Sequence, residues 1–113
     1  MDKPELELLA TTAWLFVRHG RPDRALPLLE AILAEDGSNG VAAAMLADIL
    51  LTRGEPEAAL AAVKKAKFPR ELSRAGALLE TRALIALGRS AEARNRWMRY
   101  VEASKGTQRR WVQ

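Results

Sequence analysis

Cysteine is absent from this chain of 113 residues, and histidine occurs once, as His19. The missing thiols exclude disulfides and thiolate metal sites, and fit a reducing compartment. With one histidine and no cysteine, neither a nucleophile–base pair nor a metal-ligand cluster can be assembled. His19 stands beside a glycine and is expected to cap a helix end. Glu5, Glu7 and the other carboxylates fall on exposed helical faces. No enzyme activity, metal or cofactor is therefore expected. Aromatic residues are scarce, at 5%. No apolar run approaches the ~20 residues of a membrane span. The opening Met1-Asp2-Lys3-Pro4-Glu5 also lacks the basic and apolar regions of a secretory signal. The expectation is a soluble, cytoplasmic protein with no membrane insertion.

Apolar residues make up 49%, enough for a single small domain with a modest core. Alanine and leucine supply most of them, and both favour helix over sheet, so the fold class is all-α. Charge is unevenly placed. Residues 1–38 carry four basic and seven acidic groups, whereas residues 74–113 carry nine and three. Such polarity suits a nucleic-acid surface or docking on an acidic protein, and alone decides neither.

Self-similarity is the dominant signal. Gly20-Arg21-Pro22-Asp23-Arg24-Ala25-Leu26, Gly54-Glu55-Pro56-Glu57-Ala58-Ala59-Leu60 and Gly88-Arg89-Ser90-Ala91-Glu92-Ala93-Arg94 recur at a spacing of 34 residues. Small residues keep the same step upstream, at Ala13, Ala47 and Thr81. Each glycine suits a helix end that needs a left-handed backbone, and Pro22 and Pro56 suit a first turn, where no N–H is required. Apolar residues at helical spacing flank the first turn, such as Leu6, Leu9, Ala13 and Phe16 before it and Leu26, Leu29, Ile32 and Leu33 after it. Helices are predicted over roughly 4–18, 22–35, 39–52, 56–67, 70–87 and 90–104. Residues 36–40 and Phe68-Pro69 link the repeats, which run over about 6–39, 40–73 and 74–107, and residues 105–113 form a frayed basic tail. Within it, Trp111 and Val112 either fold back on the third repeat, contact a partner or stay disordered.

This pattern resembles the tetratricopeptide repeat from residue 6 to about 104, on Ala13, Gly20, Ala25 and Leu29, then Ala47, Gly54, Ala59 and Val63, then Thr81, Gly88, Ala93 and Trp97. The proline that usually closes a repeat is missing from the first and displaced to Pro69 in the second, and a position often held by tryptophan is Leu9, Ala43 and Ala77. The resemblance implies three tandem helical hairpins in a short right-handed superhelix, with a concave groove lined by the first helix of each repeat. Its packing positions include or adjoin Leu9, Phe16, Ile32, Leu46, Leu50, Val63, Leu84 and Trp97. Its groove positions fall on Glu7, Ala10, Trp14, Val17 and Arg18, on Val41, Ala44, Asp48, Leu51 and Thr52, and on Ala75, Leu78, Arg82, Ile85 and Ala86. A partner-binding groove of Trp14, Val17, Val41, Ala44, Asp48, Leu51, Leu78, Arg82 and Ile85 is thus expected, apolar enough to take an apolar peptide or an amphipathic helix. Asp48 and Arg82 would set its register. The bland alternative is that these side chains fill a tight curl of the three-repeat array or a capping helix.

A three-repeat chain with no catalytic domain or capping helix is similar to the small tetratricopeptide chaperones of bacterial type III secretion systems. The Y-type chaperone is nearest, on Leu6 to Leu15, His19-Gly20, Arg24-Ala25-Leu26, Leu28-Leu29, Ala93-Arg94, Trp97 and Arg99 to Glu102. This implies a bacterial cytoplasmic protein, a virulence factor that keeps a small secreted X-type substrate soluble and presents it to the cytosolic domain of the export gate. The G-type needle-subunit chaperone is the neighbouring possibility. A heterodimer is expected, with self-association through the groove as an alternative. Two other classes compete: a general scaffolding adaptor, and a nucleic-acid binder built on Arg94, Arg96, Arg99, Arg109 and Arg110 with Trp97, Tyr100 and Trp111. No nucleic acid is expected, because the arginines read as a solvated face and Trp97 as a packing residue.

Overall fold

Seen in a computed structural model, residues 1–112 are described, the last six of them by backbone alone. Six α-helices follow one another: α1 (Lys3–Arg18), α2 (Pro22–Glu35), α3 (Gly40–Thr52), α4 (Pro56–Lys65), α5 (Ser73–Ala86) and α6 (Ser90–Val112). There is no strand among the described residues. The fate of the Trp111 and Val112 side chains lies outside the described residues.

Each hairpin closes in the same way. Gly20, Gly54 and Gly88 have φ of +73°, +77° and +74°, the left-handed region that only glycine enters freely. The residue after each glycine donates its N–H back to a carbonyl five residues earlier: Arg21 to Phe16, Glu55 to Leu50 and Arg89 to Leu84, each at 2.8 Å. The glycines themselves donate to Val17, Leu51 and Ile85. This double closure satisfies carbonyls that a helix end leaves unpaired and turns the chain sharply back. His19 is the capping residue of α1. Ala25, Ala59 and Ala93, buried to 2% exposure or less, then let the two helices of each hairpin approach closely.

Within the array α1 touches α3 and α3 touches α5, while α2 and α4 each pack on the first helix of the next repeat. The core forms two linked clusters. One joins Ala13, Ala25, Leu29 and Ile32 of the first repeat to Ala42 and Ile49 of the second. The other joins Ala47, Ala59, Leu60 and Val63 to Leu79, Ala83, Leu84 and Ala93. Each repeat is therefore buried both within its own hairpin and against its neighbours, and its contacts reach only adjacent repeats, as a one-dimensional array requires.

Three element ends differ from the sequence expectation. α4 stops at Lys65, two residues early, since Phe68 precedes a proline and the chain before it turns extended at Ala66 (ψ 147°). After Pro69 the chain makes a single 3₁₀ turn over Arg70–Leu72, so that α5 proper begins at Ser73 rather than near residue 70. α6 runs on to Val112 instead of ending near 104, because no proline interrupts it and one glycine, Gly106, is tolerated within a helix.

The links themselves are ordered. Asn39 caps α3, accepting the Ala42 N–H at 3.0 Å. Its neighbour Ser38 accepts the Lys67 N–H at 2.8 Å, which ties the first link to the second. Phe68 lies across Gly76 of α5, where a Cβ would come within 2.6 Å of its ring.

Candidate functional site

The inner layer of the array is made by α1, α3 and α5, and their outward residues decide what it can hold. α3 contributes a nearly uncharged surface, with Asp48 its one ionisable residue between Gly40 and Thr52. Trp14 of α1, Val41 of α3, and Leu78 and Ile85 of α5 stay exposed to 47%, 43%, 39% and 58%. These large apolar side chains stand open to water on three helices of one layer. Between α1 and α3 this layer sinks into a cavity of about 330 Å³ lined by Ala10, Thr11, Trp14, Val41, Ala44, Met45 and Leu72. A second hollow shares Ala10, Thr11 and Val41 with it and opens toward Lys3, Glu7 and Asn39.

The remaining expected groove residues divide into two kinds. Val17, Ala44 and Leu51 are half-buried: Val17 packs on the first core cluster, Ala44 and Leu51 on the second. They line the layer and also cement adjacent repeats. Asp48 and Arg82, both exposed, meet each other, with Arg82 Nη1 donating to Asp48 Oδ1 at 3.0 Å. Their separation of 34 residues places the pair across the junction of the second and third repeats. A mutual ion pair leaves the middle of the layer electrically neutral. Arg18 lies over the Trp14 ring, 4.9 Å from its centroid, a cation–π contact.

A family profile described as the tetratricopeptide repeat matches residues 16–80, more than half of the chain. The chain belongs to the tetratricopeptide repeat family. Neither the curated proteins nor the solved structures compared with it give a match. Tetratricopeptide arrays are protein-interaction scaffolds, and the matched stretch includes Val41 and Leu78 of the inner layer, with Trp14 and Ile85 outside it.

The tetratricopeptide frame does not supply three of the residues that shape the cavity. Thr11 and Met45 occupy one repeat position, directly after the expected groove residues Ala10 and Ala44. The third-repeat equivalent, Leu79, is buried at 7% exposure. Thr11 is exposed, while Met45 is half-buried against the first core cluster and still lines the cavity. Leu72 comes from the 3₁₀ turn ahead of α5, where helical periodicity gives no orientation at all. On the opposite side Arg96 donates to Glu80 at 3.0 Å, a half-buried pair joining α6 to α5, and Trp97 stacks on Tyr100 with centroids 5.1 Å apart. Arg89 donates from Nε and Nη2 to the two carboxylate oxygens of Glu92, which holds that carboxyl below its usual range. Among the described residues, no group of three or more His, Asp or Glu side chains could hold a metal, and no helix is long and apolar enough to cross a membrane.

Proposed function

We propose that this tetratricopeptide protein is a chaperone of a bacterial type III secretion system. It acts in the cytoplasm by sequestering an apolar or amphipathic segment of a small secreted partner. The observation that carries the reading is the exposed apolar line Trp14, Val41, Leu78 and Ile85, with the cavity beside Trp14 and Val41. A partner helix presents large apolar side chains three and four residues apart, and such a row matches a trough crossed by successive helices. The cavity takes one of these side chains and the Leu78–Ile85 surface takes others further along. Covering them would keep the partner from aggregating or assembling before export, and the same complex would be presented to the export gate. An X-type substrate or a needle subunit is the partner class this reading names.

Affinity purification of the full chain from its native cell, with identification of what accompanies it, is the direct test. A small export substrate should co-purify and should need this chain for solubility. Val41→Asp with Leu78→Asp should weaken that complex by at least about 30-fold, since buried interface anchors contribute ~2 kcal/mol or more each. Because both residues are exposed in the free chain, far-UV circular dichroism should not change. A general adaptor would instead be monodisperse alone and retain no small secreted protein, and that outcome would sink the proposal. Unfolding of the double variant would show that the inner layer is core and not a binding surface.

A further inference from the structure

The two ends of the array carry surfaces that its internal junctions bury. Leu8 and Leu15 of α1 are 67% and 46% exposed. One period later stand Ala42 and Ile49, and two periods later Gly76 and Ala83. All four of these are buried. Ala42 and Ile49 belong to a cluster otherwise made of first-repeat residues, so this face of a first helix is the one that meets the preceding repeat. On α1 the same face is occupied by two leucines and is uncovered among the described residues. The far end shows the converse. Val17 and Leu51 pack against their neighbouring clusters, but their equivalent Ile85 is 58% exposed. Leu29 and Val63 are buried to 3% exposure or less against the following repeat, whereas their equivalent Trp97, with Tyr100 beside it, is only half-covered.

We infer that the N-terminal face of one molecule stacks on the C-terminal face of another, continuing the superhelix head to tail. A second copy of this chain is favoured over an unrelated protein by charge. The stretch that includes α1 carries seven acidic and four basic groups, and the stretch that includes α5 and α6 carries nine basic and three acidic ones. Glu5 is exposed one turn before Leu8, and Arg94 and Arg99 are exposed on α6. The copies therefore attract in this orientation and repel head to head or tail to tail. At the internal junctions the place of Leu8 is taken by Ala42 or Gly76, which permit close approach, and that of Leu15 by Ile49 or Ala83. Leu8 is bulkier than either of its equivalents, and it faces Trp97 and Tyr100, so the junction between copies is wider and its association weak and reversible. A head-to-tail contact uses two different surfaces and does not close at two copies, so association should proceed through dimers to longer stacks.

Sedimentation velocity on the full chain, from micromolar to millimolar and at low and high salt, reads this directly. The mass average should climb past the dimer without a plateau at low salt and fall back as salt is raised. Leu8→Glu with Leu15→Glu, and separately Ile85→Glu with Arg94→Glu, should each give a monomer. An equimolar mixture of the two variants should then form dimers and nothing larger, because one intact face of each kind remains. All four positions are exposed, and an unchanged helical spectrum confirms folding; should the second variant fail this control, Ile85→Ser takes its place. A wild-type chain that stays monomeric, a plateau at the dimer, variants that associate as wild type does, or a mixture that does not dimerise would each overturn the inference. Val41→Asp with Leu78→Asp should leave the stacking intact, which separates it from the partner-binding role of the groove.

Discussion

Thr81 shows how far a single position can depart from its repeat. It stands one and two periods after Ala47 and Ala13, and those alanines are fully buried. Thr12 and Thr52 donate their hydroxyls to carbonyls one turn back, Leu8 and Asp48, at 2.8 and 2.9 Å. The Thr81 hydroxyl is buried and has no such partner. An unpaired buried hydroxyl costs about 1–3 kcal/mol, so Thr81→Val should raise stability by about 1 kcal/mol, seen as a higher urea midpoint at unchanged slope. The 34-residue period made the position legible as a small, inward one. It could not show that the hydroxyl lacks an acceptor, because that depends on the rotamer and on atoms brought up by other helices.

Elements were legible where punctuation is local. Glycine in a left-handed turn, proline in a first turn and apolar spacing of three and four residues placed every helix, with the ends most in error where a link is held by long-range contacts. The second link is the example. Its Lys67 bonds to Ser38 and its Phe68 ring lies on Gly76, and neither contact is encoded in the residues adjacent to it. A Cβ at residue 76 would meet the ring at 2.6 Å, so Gly76→Ala should destabilise the fold by about 1–3 kcal/mol despite alanine being the better helix former. In a Phe68→Ala background the same change should become neutral or stabilising. Thermal denaturation of the four chains of this double-mutant cycle measures the coupling.

For the whole molecule, cohesion resides in the apolar contacts between repeats and much less in surface charge. Ile49 is 4% exposed at the junction of the first and second repeats, and Ile49→Ala should cost about 2–5 kcal/mol and reduce the cooperativity of denaturant unfolding. Arg82→Ala removes the exposed bridge to Asp48 and should cost less than about 1 kcal/mol, an effect that shrinks further in salt. The exposure of Trp14, Val41, Leu78 and Ile85 agrees with an outward position in the tetratricopeptide frame, while their role as a groove belongs to the function proposed above. Val17 and Leu51, expected in the same groove, are also spacers between repeats, because a residue at that position faces whichever repeat follows. The tie from Lys67 to Ser38 has a consequence for the modularity of the chain. A plain solenoid can lose or duplicate one period and close up again, since every unit is interchangeable. Here the bond joins the link before the second repeat to the link that ends it, and the Phe68–Gly76 contact seats the third repeat on that closed unit. Excising residues 40–73 would leave Ser38 without the link that completes it, and an inserted consensus repeat would have no aromatic wedge to offer. The second repeat is a keystone, and the array is editable only outside it.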